Sequence, residues 1–181
     1  SEALFDIREF EQLEFDNNPM YFLDEIKDEC LYGKLDVPTH GGGTVNVEFE
    51  MLTGLPMEPF YSDSYIVYSN EINKPLISLA SIFNNIGYTT SGIHTYHNWY
   101  YKRNEVYKYL GFDEFISFEY MSDMYNKGFY AADDYFVDKI IDKYEDTIGE
   151  KFIFGISMQN HGPYLDDRYS DYNKDVKIIA P

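Results

Sequence analysis

The chain has 181 residues, long enough for one domain with a substantial core, and 44% of them are hydrophobic, which excludes a disordered segment. With 32 acidic residues against 14 basic ones the formal net charge is −18, which excludes a surface built to cover nucleic-acid phosphates. An acidic protein that handles an anionic group needs a cation to help, and this points toward a metal. Tyr and Phe are abundant, at 19 and 14 residues against one Trp, so many tyrosines must line surfaces or a cleft where their hydroxyls find partners. Cys30 is the only cysteine, which rules out an internal disulfide and a cysteine-rich zinc site. No run approaches the ~18 apolar residues of a membrane span.

In chain order, residues 1–17 mix acidic and apolar side chains and read as a loop and a short helix with Leu4, Phe5, Ile7 and Phe10. Asn17, Asn18 and Pro19 supply a cap and a proline at the first helical position. Met20, Phe22, Leu23 and Ile26 then stripe a helix reaching about Cys30, which reads as a buried or half-buried thiol. Residues 31–37 alternate loosely, as in a short strand ended by Pro38. There follows His40-Gly41-Gly42-Gly43-Thr44, where three glycines free the backbone to turn tightly and approach a ligand. Val45, Phe49 and Leu52 fall at i, i+4 and i+7 of a helix that Gly54 stops. Thr44 thus stands at a helix N-terminus, where N–H groups and the dipole favour an anion; alone, it reads equally well as an N-cap.

Residues 56–74 read as a long loop. Lys74-Pro75 opens a helix with Leu76, Leu79, Phe83 and Ile86 on one face, ended by Gly87. Residues 88–93 form a short strand that leaves His94 at its carboxyl end. Residues 95–102 are an aromatic loop holding His97, and Arg103 opens a short helix closed by Gly111. Asp133 and Asp134 lead a helix on which Phe136, Ile140, Tyr144 and Ile148 recur every fourth residue. Residues 151–158 are almost all apolar, the pattern of a strand buried on both faces, and run into Gln159-Asn160-His161-Gly162-Pro163-Tyr164. The tail from Leu165 is polar and tyrosine-rich without regular pattern.

Strands alternating with helices give an α/β fold with a mostly parallel sheet flanked by helices. In such sheets ligands sit beyond the carboxyl ends of the strands, so the Thr44 loop, His94 and His161 converge on one edge. Thr44 is a weak nucleophile until a metal or a helix N-terminus activates it. His94 and His161 can ligate a metal, exchange protons or hydrogen-bond a leaving group, and Arg103 offers a fork for phosphate or carboxylate. Glu2 is a hard-oxygen ligand suited to Mg²⁺ or Mn²⁺. Each residue also has an ordinary reading: backbone-bonded strand-end His94, turn-forming His161, Arg103 paired with Glu105 or a surface carboxylate. The glycine loop lacks the lysine of a Walker A loop and the spacing of a dinucleotide fingerprint. Metal-assisted transfer of a phosphoryl or sulfuryl group fits it better.

The segment Gly41-Gly42-Gly43-Thr44-x-Asn46-x-Glu48-Phe49-Glu50-x-Leu52-Thr53-Gly54 resembles the nucleophile segment of the lipoteichoic acid synthase family, sulfatase-like phosphoglycerol transferases of the alkaline phosphatase superfamily. The likeness continues through Lys74-Pro75-Leu76-x-Ser78-Leu79-Ala80, Gly87-Tyr88-x-Thr90 to His94, Arg103-Asn104-x-Val106-Tyr107, residues 110–115 and Asn160-His161-Gly162-Pro163-Tyr164. It implies that Thr44 is both nucleophile and ligand of one Mn²⁺ or Mg²⁺, with Glu2 of Ser1-Glu2-Ala3-Leu4 as a further ligand. It also implies that His94, Arg103, His161 and Tyr101 hold the phosphoglycerol group, although Tyr101 stands where synthases carry a tryptophan and Tyr96 where some carry an aspartate.

The family's downstream Gly-Asp-His segment, its first core strand and its N-terminal membrane helices have no counterpart. Residues 1–181 therefore read as a partial sulfatase-like catalytic domain, truncated at both ends, weak in metal binding, inactive as it stands and open to self-association along a sheet edge. The implied parent works on the extracellular face of the bacterial cytoplasmic membrane. It would move glycerol phosphate from an anionic glycerophospholipid to a polymer or glycolipid acceptor. The rival readings are a phosphoethanolamine transferase, sulfatase or phosphodiesterase of the same superfamily, and a non-catalytic module that binds the envelope.

Overall fold

Residues 89–93, Thr-Thr-Ser-Gly-Ile, are small or β-branched, and residues 90–94 are all buried, as a central strand requires. The computed structural model describes residues 6–33, 43–60, 66–165, 168 and 176–180. Their elements are β1 (Glu14–Phe15), α1 (Tyr21–Ile26), α2 (Thr44–Thr53), α3 (Val67–Asn70), α4 (Leu79–Asn85), β2 (Thr89–His94), α5 (Arg103–Tyr109), β3 (Glu114–Ser117), β4 (Asn126–Lys127), β5 (Tyr130–Ala131), α6 (Asp133–Asp146), β6 (Lys151–Ile156) and β7 (Ile178–Ala180). Strands β3, β2 and β6 form a parallel sheet in that order, with His94 opposite Ser117 on one side and Ile156 on the other. The fold is thus α/β with a parallel sheet flanked by helices, and β1 pairs separately with β7.

Alternation along β6 sorts the helices onto two faces. Phe152, Phe154 and Ile156 join a core with Val45, Phe49 and Leu52 of α2, Val67 and Tyr68 of α3 and Val106, Tyr107 and Leu110. Gly155 faces the other way, onto Phe136 and Ile140 of α6; a Cβ there would stand 2.6 Å from the Phe136 ring. Gly92 of β2 likewise admits Tyr107, whose ring an added Cβ would meet at 2.6 Å.

Several boundaries differ from the sequence expectation. α4 begins at Leu79 because Ser78 makes a reciprocal capping box with Ser81, so Lys74-Pro75 lies outside it and Ile86 is exposed. Asn18 accepts from the Met20 N–H at 2.9 Å in a turn ahead of α1, which puts Pro19 outside the helix. α1 ends at Ile26, and Cys30, beyond it, is exposed rather than buried. α6 ends at Asp146, so Ile148 is exposed beyond it. β6 pairs only with β2 among the described residues and is half-buried, not covered on both faces. Residues 31–33 are irregular, and the rest of the strand expected over 31–37 lies outside the described residues. Strand β3 and the short helix α3 had no sequence signal long enough to show them.

Candidate active site

The apolar stripe of α2 contains one charge. Val45, Glu48, Phe49 and Leu52 share a face at i, i+3, i+4 and i+7, and Glu48 is 3% exposed. Its carboxylate receives a two-pronged bond from Arg103, Nη2 to Oε1 at 2.5 Å and Nε to Oε2 at 3.2 Å, and accepts the Tyr107 hydroxyl at 3.0 Å. Arg103 is itself 2% exposed. Burial alone would lower its pKa, but the Glu48 charge more than offsets that, and the guanidinium is held firmly protonated. Sequence reading missed Glu48, although a glutamate in the middle of an apolar helix face is itself a signal that a buried cation waits opposite.

Arg103 Nη1 reaches on to His94 Nε2 at 3.3 Å, and His94 Nδ1 meets the Ile156 carbonyl at 2.9 Å. A carbonyl and a guanidinium fix the tautomer: Nδ1 bears the hydrogen and donates, and Nε2 accepts. Burial first, and then the Arg103 charge, hold the His94 pKa down at about 4, so the ring is neutral at physiological pH. The Arg103 guanidinium also lies 5.4 Å from the Tyr101 ring centroid.

Thr44 is the first residue of α2, after Gly43 at φ 68°, a left-handed turn that a side chain would resist. Gly43 is the N-cap, so Thr44 is inside the helix rather than capping it. Thr44 and Glu48 are one turn apart, about 5–6 Å between Cβ atoms on a regular helix. Asn46 accepts from the Val67 N–H at 3.2 Å and fastens α3 to the same helix.

His161 sits in a different setting. It is exposed, and its Nδ1 lies 2.9 Å from the Gly162 carbonyl, which again leaves Nε2 as the basic atom. Its loop is anchored from several sides. Gln159 accepts from the Asp133 N–H at 2.7 Å, Asn160 donates to the Asp133 carboxylate, and Arg168 donates to the carbonyls of Gln159, His161 and Pro163. Aromatic rings link this loop to the β2 edge: His161 against Tyr130 at 5.5 Å, Tyr130 against Tyr96 at 6.0 Å, and Tyr96 against His94 at 6.2 Å. Arg168 and Tyr130 carried no motif in the sequence.

The structure therefore joins α2, which Thr44 opens, to Arg103, His94 and Tyr101, and ring contacts reach His161. Glu2 lies outside the described residues, as do His40, Gly41 and Gly42. No group of three or more His, Cys, Asp or Glu side chains among the described residues could hold a metal ion. Glu48 and His94 are spent on Arg103. Of the two expected metal ligands the described residues include Thr44 alone, so they do not make a metal site by themselves.

A model of the Sulfatase family matches residues 17–179. The chain belongs to the sulfatase family. It is 35% identical over 170 residues to a Rhizobium meliloti protein described as a cyclic beta-1,2-glucan modification protein, covering 94% of this chain and 26% of that one. It is 25% identical to the capsular polysaccharide biosynthesis protein RkpI of the same organism, covering 98% of this chain and 33% of the relative. The chain thus spans about a quarter to a third of these curated relatives.

Among solved structures, the phosphoglycerol transferase GacH of Streptococcus pyogenes, in complex with sn-glycerol-1-phosphate, superposes with a TM-score of 0.68 at 25% identity over 86% of this chain and 42% of that one. The lipoteichoic acid synthase LtaP of Listeria monocytogenes gives a TM-score of 0.69 at 21% identity, over 84% and 38%, and shares the fold. The fold is that of the alkaline phosphatase superfamily, whose enzymes generally use a divalent metal. No helix of the described residues is long and apolar enough to cross a membrane.

Proposed function

We propose that this chain carries the nucleophile portion of an enzyme that moves glycerol phosphate from a phosphatidylglycerol-type lipid to a glycan acceptor outside the bacterial cytoplasmic membrane. The observation that supports it best is the bond chain from α2 to the sheet edge. Glu48, one turn from Thr44, grips Arg103, and Arg103 grips His94. The likeness to a transferase bound to glycerol phosphate supports the group moved. Relatives described by glucan modification and capsular polysaccharide synthesis support a glycan as acceptor.

In this reading Thr44 Oγ attacks the phosphorus of the lipid. The bond from phosphorus to the diacylglycerol oxygen breaks, diacylglycerol leaves with a proton, and glycerol phosphate remains esterified to Thr44. An acceptor hydroxyl then attacks the same phosphorus, and Thr44 Oγ departs and regains its proton. The N-terminal N–H groups of α2 face the developing charge. His161, exposed and with Nε2 basic, moves the protons. Arg103, His94 and Tyr101 form the wall behind the phosphate, and the neutral, doubly bonded His94 ring holds Arg103 in place. A divalent ion completes such sites in the superfamily, and the described residues do not form its cage by themselves.

The test uses the whole protein that contains this chain. Thr44→Ala abolishes diacylglycerol release from phosphatidylglycerol, and mass spectrometry of quenched wild-type enzyme finds a glycerophosphoryl group on the Thr44 peptide. Undiminished release by Thr44→Ala would overturn the proposal, and release from phosphatidylethanolamine alone would move it to a sister transferase.

A further inference from the structure

Trp99 is the only tryptophan of the chain, and 60% of it is exposed. A lone exposed ring would mean little, but this one is built in. The indole stacks on His97 with centroids 5.2 Å apart and planes 18° apart. His97 is fixed behind it by Glu119 Oε1 at 3.0 Å from Nδ1 and by the edge of Phe118 at 4.8 Å. Glu119 also accepts the Asn98 N–H at 3.1 Å and the Ser117 hydroxyl at 2.7 Å, which ties the loop to the end of β3. These bonds hold the Glu119 carboxyl below its ordinary pKa against the opposing effect of burial. Directly after the tryptophan's turn, Tyr101 and Lys102 have φ of 56° and 55°, left-handed values that non-glycine residues hold only where the surroundings insist and that gather at ligand clamps.

The shelf borders the site described above. Tyr96 packs on His97 at 5.1 Å and on His94 at 6.2 Å, so a single ring separates the shelf from the sheet edge. A flat aromatic face beside polar groups is the complement of a pyranose ring: its axial C–H bonds lie against the electron-rich π face. Asn98, the neighbour of Trp99 in the chain, carries a carboxamide, a group with both donors and acceptors for sugar hydroxyls. An anionic polymer meets Glu119 in the shelf and a net charge of −18 on the chain. An acyl chain needs a continuous apolar groove, whereas Trp99 is bordered by the edge-on Tyr100 ring at 6.2 Å and by the polar His97, Asn98 and Glu119.

We infer that the Trp99–His97 stack is a sugar-binding subsite that holds a neutral glycan next to the phosphoryl-transfer site. Its role as the acceptor subsite rests on the transferase reading; its affinity for sugar does not. Calorimetric titration of the whole protein with neutral cyclic beta-1,2-glucan tests it. Wild type and Thr44→Ala bind alike, Trp99→Ala binds about tenfold more weakly, the loss usual for a truncated aromatic anchor, and Trp99→Phe falls between. In turnover Trp99→Ala raises KM for the glucan. Equal affinity of wild type and Trp99→Ala, no binding by wild type, or stronger binding of an anionic glycan or of phospholipid vesicles would each overturn the inference. Lipid turnover surviving in Thr44→Ala would instead remove the transferase reading and leave the sugar subsite standing.

Discussion

Glu48 and Arg103 neutralise each other in a place that water does not reach. Such a pair adds little net stability, yet breaking it is expensive because the remaining charge is stranded. Glu48→Ala is therefore expected to cost about 3–5 kcal/mol in urea unfolding, and a loss below about 1 kcal/mol would show that Arg103 finds another partner. His94 carries a pH signature. Its pKa is about 4 when folded against an ordinary 6.5, so between those values the unfolded chain binds the extra proton. This contribution to stability is complete above pH 6.5 and is lost as pH falls toward 4, amounting to about 3 kcal/mol. His94→Gln should flatten the stability profile in that window; an unchanged slope would mean that carboxylates alone set it.

At the scale of elements, close approach is what places the site. Gly92 lets the Tyr107 ring rest on β2, and that ring carries the hydroxyl bonded to Glu48. Gly92→Ala forces the ring aside and is expected to destabilise the fold by about 1–3 kcal/mol and to lower turnover with it, which melting curves and lipid-release rates would check together. The start of α2 and the carboxyl end of β2 were legible in the sequence because glycine stops and apolar spacing are local signals. The start expected for α4 at Lys74-Pro75 was overridden by the Ser78–Ser81 capping box, which a propensity pattern does not weigh, so the helix begins at Leu79. β3, four residues long, is a strand only because β2 pairs with it. Arg168, whose bonds strap the His161 loop, was illegible for a similar reason: its carbonyl partners are neighbours only once the loop has turned.

Across the whole molecule the excess of acidic groups dominates. Thirty-two carboxylates against 14 cations repel one another in the compact state, so salt should stabilise it. Raising sodium chloride from about 0.05 to about 0.5 M is expected to increase Tm, and a decrease would show that ion pairs outweigh the repulsion. The electrostatic exception is interior, and it changes how the molecule assembles. Arg103 on α5 cannot shed water until Glu48 arrives, and Glu48 arrives only when α2 docks. Positioning Thr44, the proposed nucleophile, and closing the core are thus expected to be one cooperative event. Mutations that loosen α2 should lower stability and catalysis in fixed proportion, and selection for a more active variant has little room to move Thr44 without unfolding the protein around it.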